Sequence, residues 1–396
     1  MKMNIKMKKL SLLAICLAVA LSTYAYDWKS QTNASLYADM LAFAKTFAAE
    51  TKGTPTGNVM EQFVRQVERS YATDTLAWMG QTYKVVDRLK KMNPPCVETS
   101  DKQSAIRRNI LRLVDYPIHT DNYRKDASQE LKNAFSRATE AYLAGTRKDA
   151  LAWLRRPAPK KGTYELCMIY NTGFLIRSSS RTIAIDVCWR ASEKEADELA
   201  SMVDIIFVTH PHGDHYTPVL LQAFLNHDRT IVAPCQQLPG FTPTGDKGRF
   251  IAFEKSADIP SYIDGIGVRC VRGDQGKDTP NNVYMLTFED IRIIHQGDNS
   301  QWDMQKAIAE WPAADIVISS AWNGLQRLLE QAMKAKGAHP LYMPVHQNEL
   351  GHSVNQRESY HELFSRKDRL GNPDFTYPDI MVLECGENVL FTPESR

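Results

Sequence analysis

Long apolar stretches are scarce in this chain of 396 residues. The longest, Leu10 to Leu21, falls short of the about 20 residues that a bilayer-spanning helix needs. A polytopic membrane protein is excluded on that ground. Excess charge is missing too: 48 basic against 46 acidic residues leave +2, without the basic footprint of a nucleic-acid-binding protein. No G-x-S-x-G elbow occurs, so a serine hydrolase has no support, and no glycine-rich phosphate loop occurs, which disfavours nucleotide-cofactor chemistry. The seven cysteines include no C-x-x-C pair, and no repeat of fixed period or low-complexity tract is visible. With 43% hydrophobic and 24% charged residues, the chain is expected to fold around buried cores, and its length exceeds one average domain.

The amino terminus has the order of a secretory signal peptide. Lys2, Lys6, Lys8 and Lys9 precede the apolar run, and Thr23-Tyr24-Ala25 offers small residues at the −3 and −1 positions before Tyr26. Residues 1–25 are therefore expected to be removed, placing the protein outside the cytoplasm, periplasmic or secreted, with no stable membrane insertion. Removal takes four lysines and no acid, which leaves a net charge of −2. A near-neutral mature chain argues for a small-molecule substrate and against nucleic acid. Its six remaining cysteines read mostly as small buried residues rather than a disulfide set. Oligomeric state is not legible.

Residues 26–156 read as helical. Leu36, Met40, Phe43 and Phe47 recur at three- and four-residue spacing, as do Met60, Phe63, Val64 and Val67, and 76–92 and 131–143 repeat the period. Pro94-Pro95 and the Tyr116-Pro117 step are expected to break helices. Arg107, Arg108 and Arg112 read as a solvated helix face. His119 reads as a packed residue, reaching a cleft only if the helical region folds over it. A charged, proline-containing linker at 157–162 then precedes a second domain, 163–396.

Beyond Gly162 the period changes. Strands are expected at 164–170, 174–177, 182–187, 203–208, 230–233, 267–271, 283–288, 291–295, 316–319 and 341–345, with helices at 193–202, 303–311 and 325–336. Hairpins mixed with strand–helix–strand units imply an α/β layered domain. Directly after the strand ending at Val208 comes Thr209-His210-Pro211-His212-Gly213-Asp214-His215. Imidazole and carboxylate suit divalent zinc, iron or manganese, and a turn tightened by Pro211 and Gly213 aims several such ligands at one place. Two ions so held can activate water and stabilise both attacking and leaving oxygens.

This H-x-H-x-D-H segment resembles the metallo-β-lactamase superfamily, and the resemblance spans about residues 163–390. Ile183-Ala184-Ile185-Asp186 resembles the family's first motif, Ile293-Ile294-His295-Gln296-Gly297-Asp298 its strand ending in Gly-Asp, and Leu341-Tyr342-Met343-Pro344-Val345-His346 its final strand. The stretch Asn171 to Ile176 is most similar to the branch containing sugar-phosphate lactonases and certain phosphodiesterases. The resemblance implies an α/β fold, a metallo-β-lactamase-like αββα sandwich preceded by an all-α N-terminal region. It implies metal ligation by His210, His212, Asp214, His215, Asp298 (bridging) and His346, with Asp186 supporting a ligand from behind. His346 is preferred over His352 because it directly follows the strand, and His295 reads as a packed or supporting residue.

In one respect the chain departs from the family. The family's third histidine to the first metal, expected 20–25 residues before Asp298, is missing. Asp274 is the replacement this reading favours, with Asp278 as rival. A carboxylate there would shift preference from zinc towards iron or manganese, and would permit one ion instead of two. The implied activity is metal-dependent hydrolysis of a small ester, lactone or phosphodiester. Asp214 could act as base, and His352, Asn348 or Arg357 could stabilise the leaving oxygen. The alternative is a degenerate protein of the same fold that binds metal or ligand without turnover.

Overall fold

The structure is a computed structural model that describes residues 28, 30–97, 100–120, 127–255, 260–276, 279–300, 310–320, 333, 336–337, 339–350, 352, 354, 357–365 and 380–393. The expected signal segment 1–25, Asp278, and most of the helices expected at 303–311 and 325–336 lie outside these residues.

Among the described residues five helices come first: α1 (Asn33–Glu50), α2 (Pro55–Tyr71), α3 (Ala77–Met92), α4 (Asp101–Ile118) and α5 (Gln129–Leu154). Thr32, Thr54, Ser100 and Ser128 cap four of them, each side chain accepting from a backbone N–H of the first turn. Pro117 does not break α4 ahead of itself. It sits in the last turn, so only one helical hydrogen bond is forfeited before the helix closes one residue later. None of the helices among the described residues is long and apolar enough to cross a membrane.

The remainder forms two sheets. Strands β1 (Tyr164–Met168), β2 (Phe174–Arg177), β3 (Thr182–Ile185), β4 (Ile205–Phe207), β5 (Thr230–Ala233), β6 (Arg249–Ala252) and β13 (Asn388–Phe391) build the first, in the order β13-β1-β2-β3-β4-β5-β6. Strands β7 (Tyr262–Ile263), β8 (Ile266–Asp274), β9 (Pro280–Phe288), β10 (Ile291–His295), β11 (Ile316–Ser320) and β12 (Leu341–Val345) build the second, ordered β12-β11-β10-β9-β8-β7. Helices α6 (Glu193–Met202) and α7 (Pro218–Asn226) connect β3 to β4 and β4 to β5, and these strands pair in parallel. A short α8 (Tyr360–Ser365) follows β12.

Period-two alternation explains the layering. Ile183, Ile185, Ile205 and Phe207 of the first sheet meet Ile293, Ile316, Ile318 and Met343 of the second in one apolar cluster. The residues between them turn outward. Ala184 and Ile206 join a cluster with Leu199 of α6, Phe224 of α7 and Leu151 of α5. Ile294, Val317 and Tyr342 join a third cluster with α1 to α4 and the first half of α5. The second sheet's outer face is thus continuous with the helical region, and α5 runs between both outer clusters.

That junction is polar as well as apolar. Arg107 is buried, with its guanidinium on both oxygens of Glu387 at 2.5 and 2.7 Å and on the carbonyls of Val382 and Asn93. The solvated face expected for it is therefore wrong: α4 turns Arg107 towards the carboxyl-terminal segment, where the charge is paired. His119 does not reach the cleft. It stacks on Trp28 at 4.0 Å inside the helical core, and burial pushes its imidazole down to about 3. Among the described cysteines, Cys167, Cys188 and Cys385 are buried, and Cys96 is exposed.

Candidate metal centre

The loop after β4, the ends of β3, β10 and β12, and the turn between β1 and β2 converge at one rim of the sandwich. Asp298 lies at the middle. Its Oδ2 is 3.0 Å from His346 Nε2, 3.6 Å from His215 Nε2 and 3.7 Å from His210 Nε2. Asp214 Oδ2 is 3.2 Å from His215 Nε2 and 3.8 Å from His346 Nε2. Ligand atoms of Asp214, His215, Asp298 and His346 all lie within 4.8 Å of one another, and so do those of His210, His212 and Asp214. Asp214 belongs to both groups. The first group is largely buried, whereas the second opens to solvent at His212.

Local sequence explains the geometry. His215 N closes a turn onto His212 O at 3.1 Å, folding the loop so that its side chains fan around one point. Gly297 takes φ +58°, and a Cβ there would fall 2.5 Å from Asn281 Oδ1 and from Thr209 Oγ1. The glycine lets Asp298 turn in beside the histidine loop. Asp298 N then donates to Asn281 Oδ1 at 3.0 Å.

Behind the cluster sits Asp186, fully buried, with φ +50°. It accepts from Thr209 N (2.7 Å) and Thr209 Oγ1 (2.6 Å), and its Oδ2 meets His215 Nδ1 at 2.8 Å. That contact puts the proton on Nδ1 and turns the Nε2 lone pair towards the cluster. His295 is a packed residue whose Nε2 meets Thr172 O at 2.9 Å.

Electrostatics follow from the packing. Burial by itself would raise Asp298, but His346, His215 and His210 hold its carboxyl well below the usual range. Burial pushes His210 down to about 3. Burial opposes the charge on His215 as well, yet Asp186, Asp214 and Asp298 around it raise that imidazole. Ionised carboxylates facing imidazoles are the ligand forms a divalent cation takes.

The donors fit such an ion. His210 Nε2, His215 Nε2 and Asp298 Oδ1 are buried without any hydrogen-bond partner. Two donors about 2.1 Å from one tetrahedral zinc are about 3.4 Å apart, close to the 3.6 and 3.7 Å found here.

Several expected residues stand elsewhere. Asp274 is outside both donor groups. It ends β8 opposite Pro280, and its carbonyl accepts from Ser300 N and Oγ at 3.0 Å. Neighbouring side chains of an extended segment alternate in direction, and the next residue, Gln275, is the one that reaches Asp298. Asn348 and Arg357 are not placed to receive a leaving group. Asn348 donates to Asp115, and Arg357 is spent on the carbonyls of Ile118, Leu350 and His352. His352 packs 5.3 Å from the His346 ring, with its Nδ1 3.2 Å from Glu349. Sequence reasoning missed Gln275, and also Asn171, which donates to Asp214 Oδ2 at 2.7 Å from the β1–β2 turn. Asn171 has φ +54°, and an asparagine before Thr-Gly in a hairpin was the available signal.

Solved structures similar to this chain include Igni18, described as a novel metallo hydrolase, from Ignicoccus hospitalis (16% identity, 58% of this chain, 98% of that one, TM-score 0.41). They also include an isothiocyanate hydrolase from Delia radicum gut bacteria (16%, 58% and 99%, TM-score 0.42). A third is CmlA, a diiron beta-hydroxylase from Streptomyces venezuelae (10%, 67% and 57%, TM-score 0.40). No curated protein matches. The family model described as "Beta-lactamase superfamily domain" matches residues 165–339, a span that holds Asp186, the histidine loop and Asp298 and ends just before His346. Residues 165–339 of the sandwich, which carry these donors apart from His346, match a domain of the β-lactamase superfamily.

Proposed function

We propose that this protein is an exported metal-dependent hydrolase acting on a small ester, lactone or phosphodiester. One observation carries the reading: the imidazoles of His346, His215 and His210 lie 3.0 to 3.7 Å from Asp298 Oδ2, beside the Asp214 carboxylate, and the buried Nε2 atoms of His210 and His215 have no hydrogen-bond partner. A surface loop of accidental histidines would leave its nitrogens to solvent. Here burial of the unsatisfied nitrogens costs about 1–3 kcal/mol each, which a bound cation would remove.

His210, His212 and Asp214 would hold one ion, and Asp214, His215 and His346 the other, with Asp298 between them. Divalent zinc, iron or manganese bound there supplies water activation near neutral pH and a positive field for developing negative charge. The chain's own groups do the rest. Asp186 fixes the His215 tautomer, and Asn171 holds Asp214 at the solvent-facing side, where that carboxylate can take a proton. His352, whose Nδ1 lies 3.2 Å from the buried Glu349, would return a proton to the leaving oxygen. The near-neutral charge expected after removal of residues 1–25 favours a small substrate over nucleic acid.

Metal content and activity test this together. Full-length protein should carry one to two divalent ions per chain and hydrolyse members of a lactone and phosphodiester panel. His212→Ala should lose at least about 100-fold in rate, in line with losing a group needed for charge stabilisation. Less than half an ion per chain, with no turnover after metal addition, would leave the degenerate binding-protein reading standing instead.

A further inference from the structure

Gln275 stands one residue past β8, with its amide against the centre. Nε2 donates to Asp298 Oδ2 at 3.1 Å, while Oε1 is buried with no hydrogen-bond partner. Its surroundings share that defect. His210 Nε2, His215 Nε2 and Asp298 Oδ1 are also buried and unpartnered, and the first two lie within 3.7 Å of the carboxylate oxygen that Gln275 touches. An amide oxygen, a carboxylate oxygen and an imidazole nitrogen protonated on its far side are all acceptors. They cannot satisfy one another; a cation among them satisfies all.

The side chain is delivered by a pinned turn rather than a free loop. Gln275 N donates to Thr279 O at 2.8 Å, Gly276 N donates to Ser300 Oγ at 2.9 Å, and Ser300 N donates to Asp274 O at 3.0 Å. Ser300 lies two residues beyond Asp298, so one short segment fixes both the carboxylate and the turn that presents the amide. Rotation about the last side-chain torsion exchanges the amide oxygen and nitrogen without moving the backbone.

We propose that Gln275 is a protein donor to the solvent-side metal, through its side-chain carbonyl oxygen, alongside His210 and His212. This rests on the metal-centre reading above and adds its composition: beside the carboxylates already named, two imidazoles and a neutral oxygen in place of three imidazoles. A neutral hard donor adds no negative charge and binds zinc less strongly than imidazole does. The solvent-side position is therefore the weaker of the two, with a relative preference for manganese or iron.

Titration of the chelator-treated full chain with Mn(II), Co(II) and Zn(II), followed by calorimetry and by the visible spectrum of the cobalt form, tests this. Wild type should show a tight and a weaker position. Gln275→Ala should weaken the second by at least about tenfold, the scale seen when metal-supporting groups are removed, while leaving the first within about threefold. Gln275→His should restore binding, favour zinc over manganese, and change the cobalt spectrum. Metal-free unfolding midpoints of the variants should match wild type, which separates lost ligation from lost folding. The proposal is overturned if Gln275→Ala keeps both affinities and the wild-type cobalt spectrum. It is equally overturned if both positions weaken together and histidine fails to restore either, because Gln275 then only orients Asp298. A wild-type chain that binds no ion, with His212→Ala titrating identically, would remove the metal centre itself, an outcome distinct from these two.

Discussion

At the scale of single residues, the site is built from side chains held in backbone conformations they would not choose. Asp186 (φ +50°), Asn171 (φ +54°), His346 (φ +76°) and Asn348 (φ +55°) all occupy the left-handed region without being glycine. Each costs on the order of 1 kcal/mol or more, and such residues gather where surrounding contacts over-determine them. Asp186 illustrates the compensation, since both oxygens are used by Thr209 and His215. Asp186→Asn would present an amide N–H₂ to one of those donors. Metal affinity should fall about 10- to 100-fold by calorimetric titration; an unchanged affinity would mean that His215 is oriented by something else. The histidine loop and Asp298 were legible because each is a short run of chemistry directly after an apolar strand. Gln275 was not, because a choice between adjacent side chains at a strand end depends on which way the last residue of β8 faces.

Among the elements, strands buried on both faces could be read closely from sequence. Phe174–Arg177, Thr230–Ala233, Ile291–His295 and Leu341–Val345 have the expected limits, and so does α6. The strands that escaped, β6, β7 and β13, are all at sheet edges. There Tyr262 is 68% and Leu390 55% exposed, so the apolar alternation that announces a strand is diluted. The segment after β12 depends on a distant helix. Asp115 of α4 is fully buried and accepts from Asn348 Nδ2 (2.7 Å), Tyr360 N (2.9 Å) and His361 N (2.8 Å), and it meets His361 Nδ1 at 2.6 Å. Asn348 is two residues from His346. Asp115→Ala should therefore weaken the buried metal position by about tenfold or more while sparing the solvent-side one, read by competition titration. Equal weakening of both would point to general loosening.

For the whole molecule, the helical region is bonded into the sandwich rather than appended to it. Arg107 meets Glu387, Lys90 Nζ donates to Cys385 O at 2.7 Å, and Glu384 accepts from Tyr142 and Tyr360 hydroxyls. These groups are buried, so removing one partner strands the other. Arg107→Ala should cost about 3–5 kcal/mol in denaturant unfolding, much more than an exposed ion pair. A loss below about 1 kcal/mol would show that Glu387 finds another partner or takes up a proton. None of these long-range pairs is visible in sequence, where Arg107 is one of three similar arginines on a helix.

Those pairs also impose an order of events. Arg107 and Glu387 are 280 residues apart, and Asp115 and Asn348 are 233 apart. Closing loops of that length comes late, after local helices and hairpins have formed. The segment bearing His346 takes its final shape only when the first helices and β13 have met. Until then the early helices carry Arg107, Asp115 and Lys90 without their partners, wetted and unburied. Metal capture through His346 would then close the sequence, and a loss of ligation would report that the two ends of the chain have not met.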